Sequence, residues 1–172
     1  MRELADAARI ESLLQALGRE ADTGASAYLT GGATAVLVGW RSTTIDVDLL
    51  FEPETDRLLR TVARLKDELR LNVELASPGD FIPLPGGWRE RSLYVARHGS
   101  LSVFHFDPHS QALAKLERAH AQDLDDVRAL VARGLVEPDV ALRLFEEIEP
   151  QLHRFPAVDP KSFRAELERA FG

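Results

Sequence analysis

The sequence predicts a mixed α/β (α+β) fold: a mixed β-sheet with flanking helices, followed by a C-terminal helical extension. As far as about residue 107, short runs of β-branched and aliphatic residues alternate with stretches of helical periodicity. Beyond Pro108 the spacing is helical throughout. A chain of 172 residues, 45% hydrophobic and 28% charged, can bury a sizeable core as one domain plus an extension. The expected division is therefore an α/β core over residues 1–107 and a helical part over 108–172 packed on it.

Each element has its own signal. Residues 3 to 20 repeat apolar positions at helical spacing (Leu4, Ala7, Ile10, Leu13, Leu14, Leu17), and Gly18 is the expected stop. Ala27-Tyr28-Leu29 reads as a short strand broken by Gly31-Gly32, and residues 33 to 40 as a short buried helix. After a polar turn, residues 45 to 51 read as a strand. Glu52-Pro53-Glu54 then opens a helix to about Leu69, with acidic residues in its first turn. A strand at 71 to 75 precedes a segment, residues 77 to 87, too dense in Pro and Gly for regular structure. Strands at 92 to 97 and 101 to 106 flank a His98-Gly99-Ser100 hairpin. Helices are expected at about 109–133, 138–153 and 161–171, with breaks at Gly134/Pro138 and Pro156/Pro160.

Composition narrows the chemistry. Without cysteine, thiolate metal sites and disulfides are excluded, and only oxygen or imidazole ligands remain. The five histidines show no zinc-type spacing. A net charge of −7 argues against broad phosphate-driven nucleic-acid binding, though not against a local basic cleft. No apolar run approaches membrane-spanning length, and the N-terminal segment is amphipathic rather than signal-like, so no membrane association and a cytoplasmic location are expected.

Asp46 and Asp48 are the strongest chemical signal. Two residues apart on a strand, they share a face, while Val47 and Leu49 point to the other. Like charges on one face repel, and a divalent cation such as Mg²⁺ relieves that repulsion while leaving positions open for phosphate. An exposed strand face at a sheet edge would also carry Asp-x-Asp. The context is more specific than the pair: strand, Gly31-Gly32, short helix, then the acidic strand. Glycines there let the backbone approach a ligand closely.

The segment LTGGATAVLVGWRSTTIDVDLLF resembles the first motif of the polymerase-β-type nucleotidyltransferases. More narrowly, the chain is similar to a bacterial group near the abortive-infection toxins. The likeness extends through LNVELASPGDFIPLPGGWRERS and DPHSQALAKLERAHAQDLDDVRALVARGLV, or roughly residues 27 to 137. It implies a nucleotidyltransferase-type sheet and Mg²⁺-dependent transfer from an NTP, with two metal ions held by carboxylates. Carried onto this chain, Gly31 and Gly32 contact phosphate, and Asp46 and Asp48 bind metal. The third carboxylate is Glu74, which shares a face with Asn72, with Asp80 as competitor. The implied acceptor is a protein or a tRNA, and the implied partner a cognate toxin or antitoxin. Related proteins often place Ser or Thr directly after the glycines; here Ala33 stands there and Thr34 follows, as the remaining candidate hydroxyl on the phosphate. Arg41 can reach a phosphate or a carboxylate, or cap the preceding helix.

In the helical part, Leu113, Leu116, Leu124, Val127, Leu130 and Val131 form an apolar stripe. Asp123 falls inside that arc, where a carboxylate needs a partner or a cleft. By the resemblance, Lys115 is a phosphate ligand and Asp123 its polar partner; an internal ion pair fastening the helix is the alternative. Asp126 is expected to pair with an arginine on the surface. His105 reads as a satisfied core or rim residue, and Trp40 and Trp88 as packing residues, with Trp88 also able to line a base pocket. A non-catalytic module that keeps the fold for binding competes with the enzymatic reading.

Overall fold

The computed structural model describes all 172 residues. In chain order the elements are α1 (Ala7–Glu20), β1 (Ala25–Thr30), α2 (Gly32–Val38), β2 (Asp46–Glu52), α3 (Asp56–Glu68), β3 (Asn72–Leu75), α4 (Trp88–Arg91), β4 (Leu93–His98), β5 (Leu101–His105), α5 (Pro108–Arg118), α6 (Ala121–Ala132), α7 (Pro138–Ile148) and α8 (Pro160–Phe171). They cluster into two compact units. The first comprises residues 1–77 and 92–105; the second comprises residues 78–91 and 106–172.

The first unit carries a five-stranded mixed sheet in the order β3-β2-β1-β5-β4. β1 runs antiparallel to β2 and parallel to β5; β2 and β3 are parallel, and β4 closes the row antiparallel to β5. This is the mixed sheet that the alternating runs predict. β2 shows why: Val47, Leu49 and Phe51 are buried, while Asp46, Asp48, Leu50 and Glu52 are half-buried on the other face. The buried set joins Ala27 and Leu29 of β1, Val73 of β3, and Leu101 and Val103 of β5. Ile10, Leu13, Leu14 and Leu17 of α1 and Leu58, Val62 and Leu65 of α3 complete this core. All the helices of the core therefore serve one face of the sheet.

Several boundaries differ from the sequence reading for local reasons. α1 begins at Ala7, because Asp6 accepts the backbone N–H of Arg9 at 2.9 Å and caps the helix. Residues before it are extended: Ala5 exchanges backbone hydrogen bonds with Thr44, and Leu4 is 56% exposed rather than part of the helical stripe. Gly18 does not stop α1, which runs on to Glu20. A Cβ at Gly18 would lie 2.6 Å from the carbonyl carbon of His98, so this glycine lets the β4–β5 hairpin close against the helix. α3 starts at Asp56 and not at Glu52, since Thr55 supplies the cap and Glu52 still belongs to β2.

In the second unit α5 packs against α6, α7 and α8. Phe145 and Phe163 meet edge to face at 4.9 Å, and Trp88 stacks on Phe106 at 4.4 Å with the Arg89 guanidinium over its ring. Trp88 is therefore a packing residue. The Pro/Gly-rich stretch contains a 3-10 turn at Pro78–Asp80, contrary to the expectation of no regular structure, and is followed by α4. The single helix expected over 109–133 is two. Ala119 adopts a left-handed conformation (φ 55°) at the end of α5, and α6 restarts after His120. α7 likewise ends at Ile148 and continues as 3-10 helix over Glu149–Arg154. No helix is long and apolar enough to cross a membrane.

Candidate active site

Strand register assembles the acidic residues. Thr30 of β1 lies across from Asp48 of β2, and Asp48 lies across from Glu74 of β3; Asp46 lies across from Asn72. Cross-strand neighbours project to the same side, so all five occupy the sheet face that the helical core leaves alone. The Asn72 amide nitrogen donates to Asp46 Oδ1, and to Glu74 Oε1 at 3.1 Å. Asn72 thus stands between two carboxylates and partly offsets their repulsion. Sequence reasoning saw only that Asn72 shares a face with Glu74; it missed this bridging role.

The glycine turn closes on the same place. Gly31 has φ 62° and caps α2, a conformation that favours glycine. A Cβ there would sit 3.3 Å from Asp48 Oδ2, so the turn runs directly beside the carboxylate. At Gly32 a Cβ would lie 2.6 Å from Thr44 Cβ and 3.2 Å from Arg41 Nη1. Gly32 is therefore demanded by Thr44 and by the approach of the Arg41 guanidinium. Thr44, which sequence reasoning passed over as a turn residue, is buried and donates from Oγ1 to the Asp46 carbonyl at 2.9 Å. Gly31, Gly32, Arg41, Asp46, Asp48 and Glu74 all belong to the first unit. Contacts tie Gly31 to Asp48, and Gly32 to Arg41 and, through Thr44, to Asp46.

The donor set is all oxygen, as Mg²⁺ requires. No group of three Asp, Glu or His side chains converges as a ready-made metal cage. Glu74 is exposed and turned to Asn72, while Asp80 is exposed in the 3-10 turn of the second unit. This arrangement fits Mg²⁺ in the manner usual for that ion, with one or two carboxylates, water and substrate phosphate completing an octahedron.

Thr34 is placed elsewhere. It is only 1% exposed; its hydroxyl donates to the Leu29 carbonyl at 3.3 Å and lies 3.0 Å from His105 Nδ1. Turned into the core, it does not present a hydroxyl to a ligand, which corrects its expected role on the phosphate. Burial pushes the His105 pKa down from 6.5 to about 4. Its folded value is depressed, so between those limits the unfolded chain binds more protons. Stability is then full above pH 6.5 and lost as pH falls toward 4, by up to ~3 kcal/mol. Urea titrations from pH 7 to pH 4 should show this loss in the wild type and a flatter profile in His105→Phe.

Lys115 and Asp123 lie in the second unit, and there the structure brings them together. Lys115 is 5% exposed; its Nζ is 2.8 Å from Asp126 Oδ2 and 3.8 Å from Asp123 Oδ1. Asp123 also accepts from Arg118 at 2.9 Å, and from the His120 backbone N–H at 3.3 Å, which caps α6. The carboxylate in the apolar arc thus has its partners. Asp126 corrects the expectation of a surface pair: it is 3% exposed and is the nearer partner of Lys115. In the same unit Asp107 caps α5, held by Arg91, Ser110 and the His109 backbone. Burial pushes its carboxyl up, but hydrogen bonds from His109, Arg91 and Ser110 outweigh this and hold it below the ordinary carboxylate value.

No curated protein and no solved structure matches the chain. One family model does, over residues 8–158, a span that takes in the glycine turn, the acidic strand, β3 and the Lys115 helix. The chain belongs to that family, DUF6036, described as nucleotidyltransferase of unknown function.

Proposed function

We propose that the protein is a Mg²⁺-dependent nucleotidyltransferase that moves a nucleotide from an NTP to a protein or RNA acceptor. The observation that carries this reading is the convergence of the glycine turn on the acidic strand, with Gly31 beside Asp48 Oδ2 and Arg41 beside Gly32. Family membership supports transfer of a nucleotide in general terms. Asp46 and Asp48 would hold Mg²⁺, which when bound offsets the charge that builds on the phosphates and on departing pyrophosphate. Gly31 would let the triphosphate approach the backbone, Gly32 makes the space that Thr44 and the Arg41 guanidinium take, and Arg41 would bind the triphosphate. Asn72 keeps the Asp46 carboxylate oriented. Glu74, exposed on the same face, supplies the third carboxylate and is the group to take the acceptor proton. As the acceptor oxygen bonds to the α-phosphorus, the bond between the α-phosphorus and its bridging oxygen to the β-phosphate breaks. Lys115, with Asp123, is a further candidate for phosphate. A setting in a toxin–antitoxin or phage-defence pair rests only on the resemblance of residues 27 to 137 to the abortive-infection toxins.

A second reading, a non-catalytic binding module on this fold, is favoured by two observations. Thr34 is spent on the core, and Lys115 is held by two buried carboxylates. Calorimetric titration of each NTP with Mg²⁺ separates the two. Magnesium-dependent binding that disappears in Asp46→Asn/Asp48→Asn is expected. Failure of every NTP to bind the wild type at millimolar concentration would sink the site and leave the binding module.

A further inference from the structure

The carboxylate face also carries a row of aromatic rings. Tyr28 of β1 lies across from Phe104 of β5, and Phe104 across from Tyr94 of β4. Tyr28 and Phe104 stack at 5.2 Å with planes 18° apart, and Tyr94 meets Phe104 edge to face at 5.8 Å. Tyr28 is two residues from Thr30, the cross-strand neighbour of Asp48, so the aromatic row and the carboxylates share one side of the sheet. The row ends in the open: Tyr28 is buried, whereas Tyr94, on the edge strand, is 63% exposed. The edge-to-face contact with Phe104 orients the Tyr94 ring, while most of the residue stays exposed.

From β2 to β4 there are three strand spacings, about 14 Å, with an offset along the strands of about two residues from Asp48 and about four from Asp46. An extended nucleoside triphosphate with its cation covers such a span. Phosphates placed at Asp46 and Asp48 bring the base end of the molecule to Tyr94. We propose that Tyr94, backed by Phe104, is the platform on which the nucleobase of the bound NTP stacks. The proposal rests on the nucleotidyl-transfer reading above and adds to it a base subsite made by the sheet itself. Stacking uses the π-face common to all bases, so this subsite tolerates different bases and does not need the phenol hydroxyl.

The test compares ATP with inorganic tripolyphosphate, which has no base, each titrated calorimetrically in Mg²⁺. The proteins are the wild type, Tyr94→Ala, Tyr94→Phe and Asp46→Asn/Asp48→Asn. Tyr94→Ala should weaken ATP about tenfold and leave tripolyphosphate unchanged, and Tyr94→Phe should bind both as the wild type does. ATP binding that is lost in the aspartate variant yet unchanged in Tyr94→Ala overturns the platform while the metal site stands. Equal loss of ATP and tripolyphosphate in Tyr94→Ala also overturns it, because the residue would then be structural. A wild type that binds neither ligand overturns the nucleotidyl-transfer reading and the platform with it.

Discussion

Asp126→Ala is expected to destabilise the protein by about 3–5 kcal/mol, because it strands the Lys115 ammonium in a buried setting. The nearest oxygen to Lys115 Nζ is that of Asp126 at 2.8 Å, and both residues are almost fully enclosed. Asp123 at 3.8 Å is the remaining carboxylate, but it already serves Arg118 and the α6 cap. Removing the charge from both sides should cost far less than removing one, since a buried pair replaced by apolar groups of similar volume is often near neutral. Urea denaturation of Asp126→Ala, Lys115→Met and Lys115→Met/Asp126→Leu measures this directly. A loss in Asp126→Ala of under 1 kcal/mol would show that Lys115 finds solvent or another partner. The double variant carries a functional reading too. If it folds but loses NTP affinity, Lys115 contacts phosphate; if it folds and binds normally, the pair only fastens α5 to α6.

The second large effect is at Gly18. Alanine in a helix interior ordinarily gains about 1 kcal/mol over glycine. Here the added Cβ would meet His98 at 2.6 Å from its carbonyl carbon and 2.7 Å from its Cβ, with the carbonyl oxygen nearer still. The obstruction is mostly backbone, which cannot rotate away as a long side chain could. Gly99 on the hairpin is constrained in return, since a Cβ there would meet the Gly18 carbonyl, and its φ is +57°. The hairpin has to lift from α1, so the overpacking cost outweighs the helix gain and leaves a net loss of about 2 kcal/mol. A Gly18→Ala variant with an unchanged or raised urea midpoint would contradict the close approach of α1 and the hairpin.

Much of the candidate site is written in local pattern. The alternation around Asp46 and Asp48 puts both carboxylates on one face and the valine and leucine between and after them in the core. That requires only the two-residue period of a strand. Gly31-Gly32 marks the turn because a positive φ and a close approach are properties of glycine itself. The shared face of Asn72 and Glu74 follows from the same period. What pattern alone did not yield was the partner of each residue. Thr34 is close to the glycines in sequence, yet α2 rotates its hydroxyl inward to His105, seventy-one residues further on. Thr44 looks like any turn residue until Gly32 is packed against it.

The helical part shows the limit most clearly. Ala119 breaks the helix in a left-handed conformation without a glycine or proline to announce it. A helical wheel drawn straight through residue 119 keeps its phase on paper, whereas the chain restarts after His120 with a new axis. That restart is why Asp126, expected to pair with an arginine at the surface, lies buried in α6 against Lys115 of α5. The sequence by itself determined the fold class, the order of the strands and of the helices as far as β3, and the acidic pair, because each depends on periodicities of two or 3.6 residues along a continuous segment. The tertiary structure alone decided which strands are neighbours, and so that Glu74 stands across from Asp48 and Asn72 across from Asp46. It also decided which buried charges find a counter-charge, because those pairings are long-range contacts whose geometry no local period encodes.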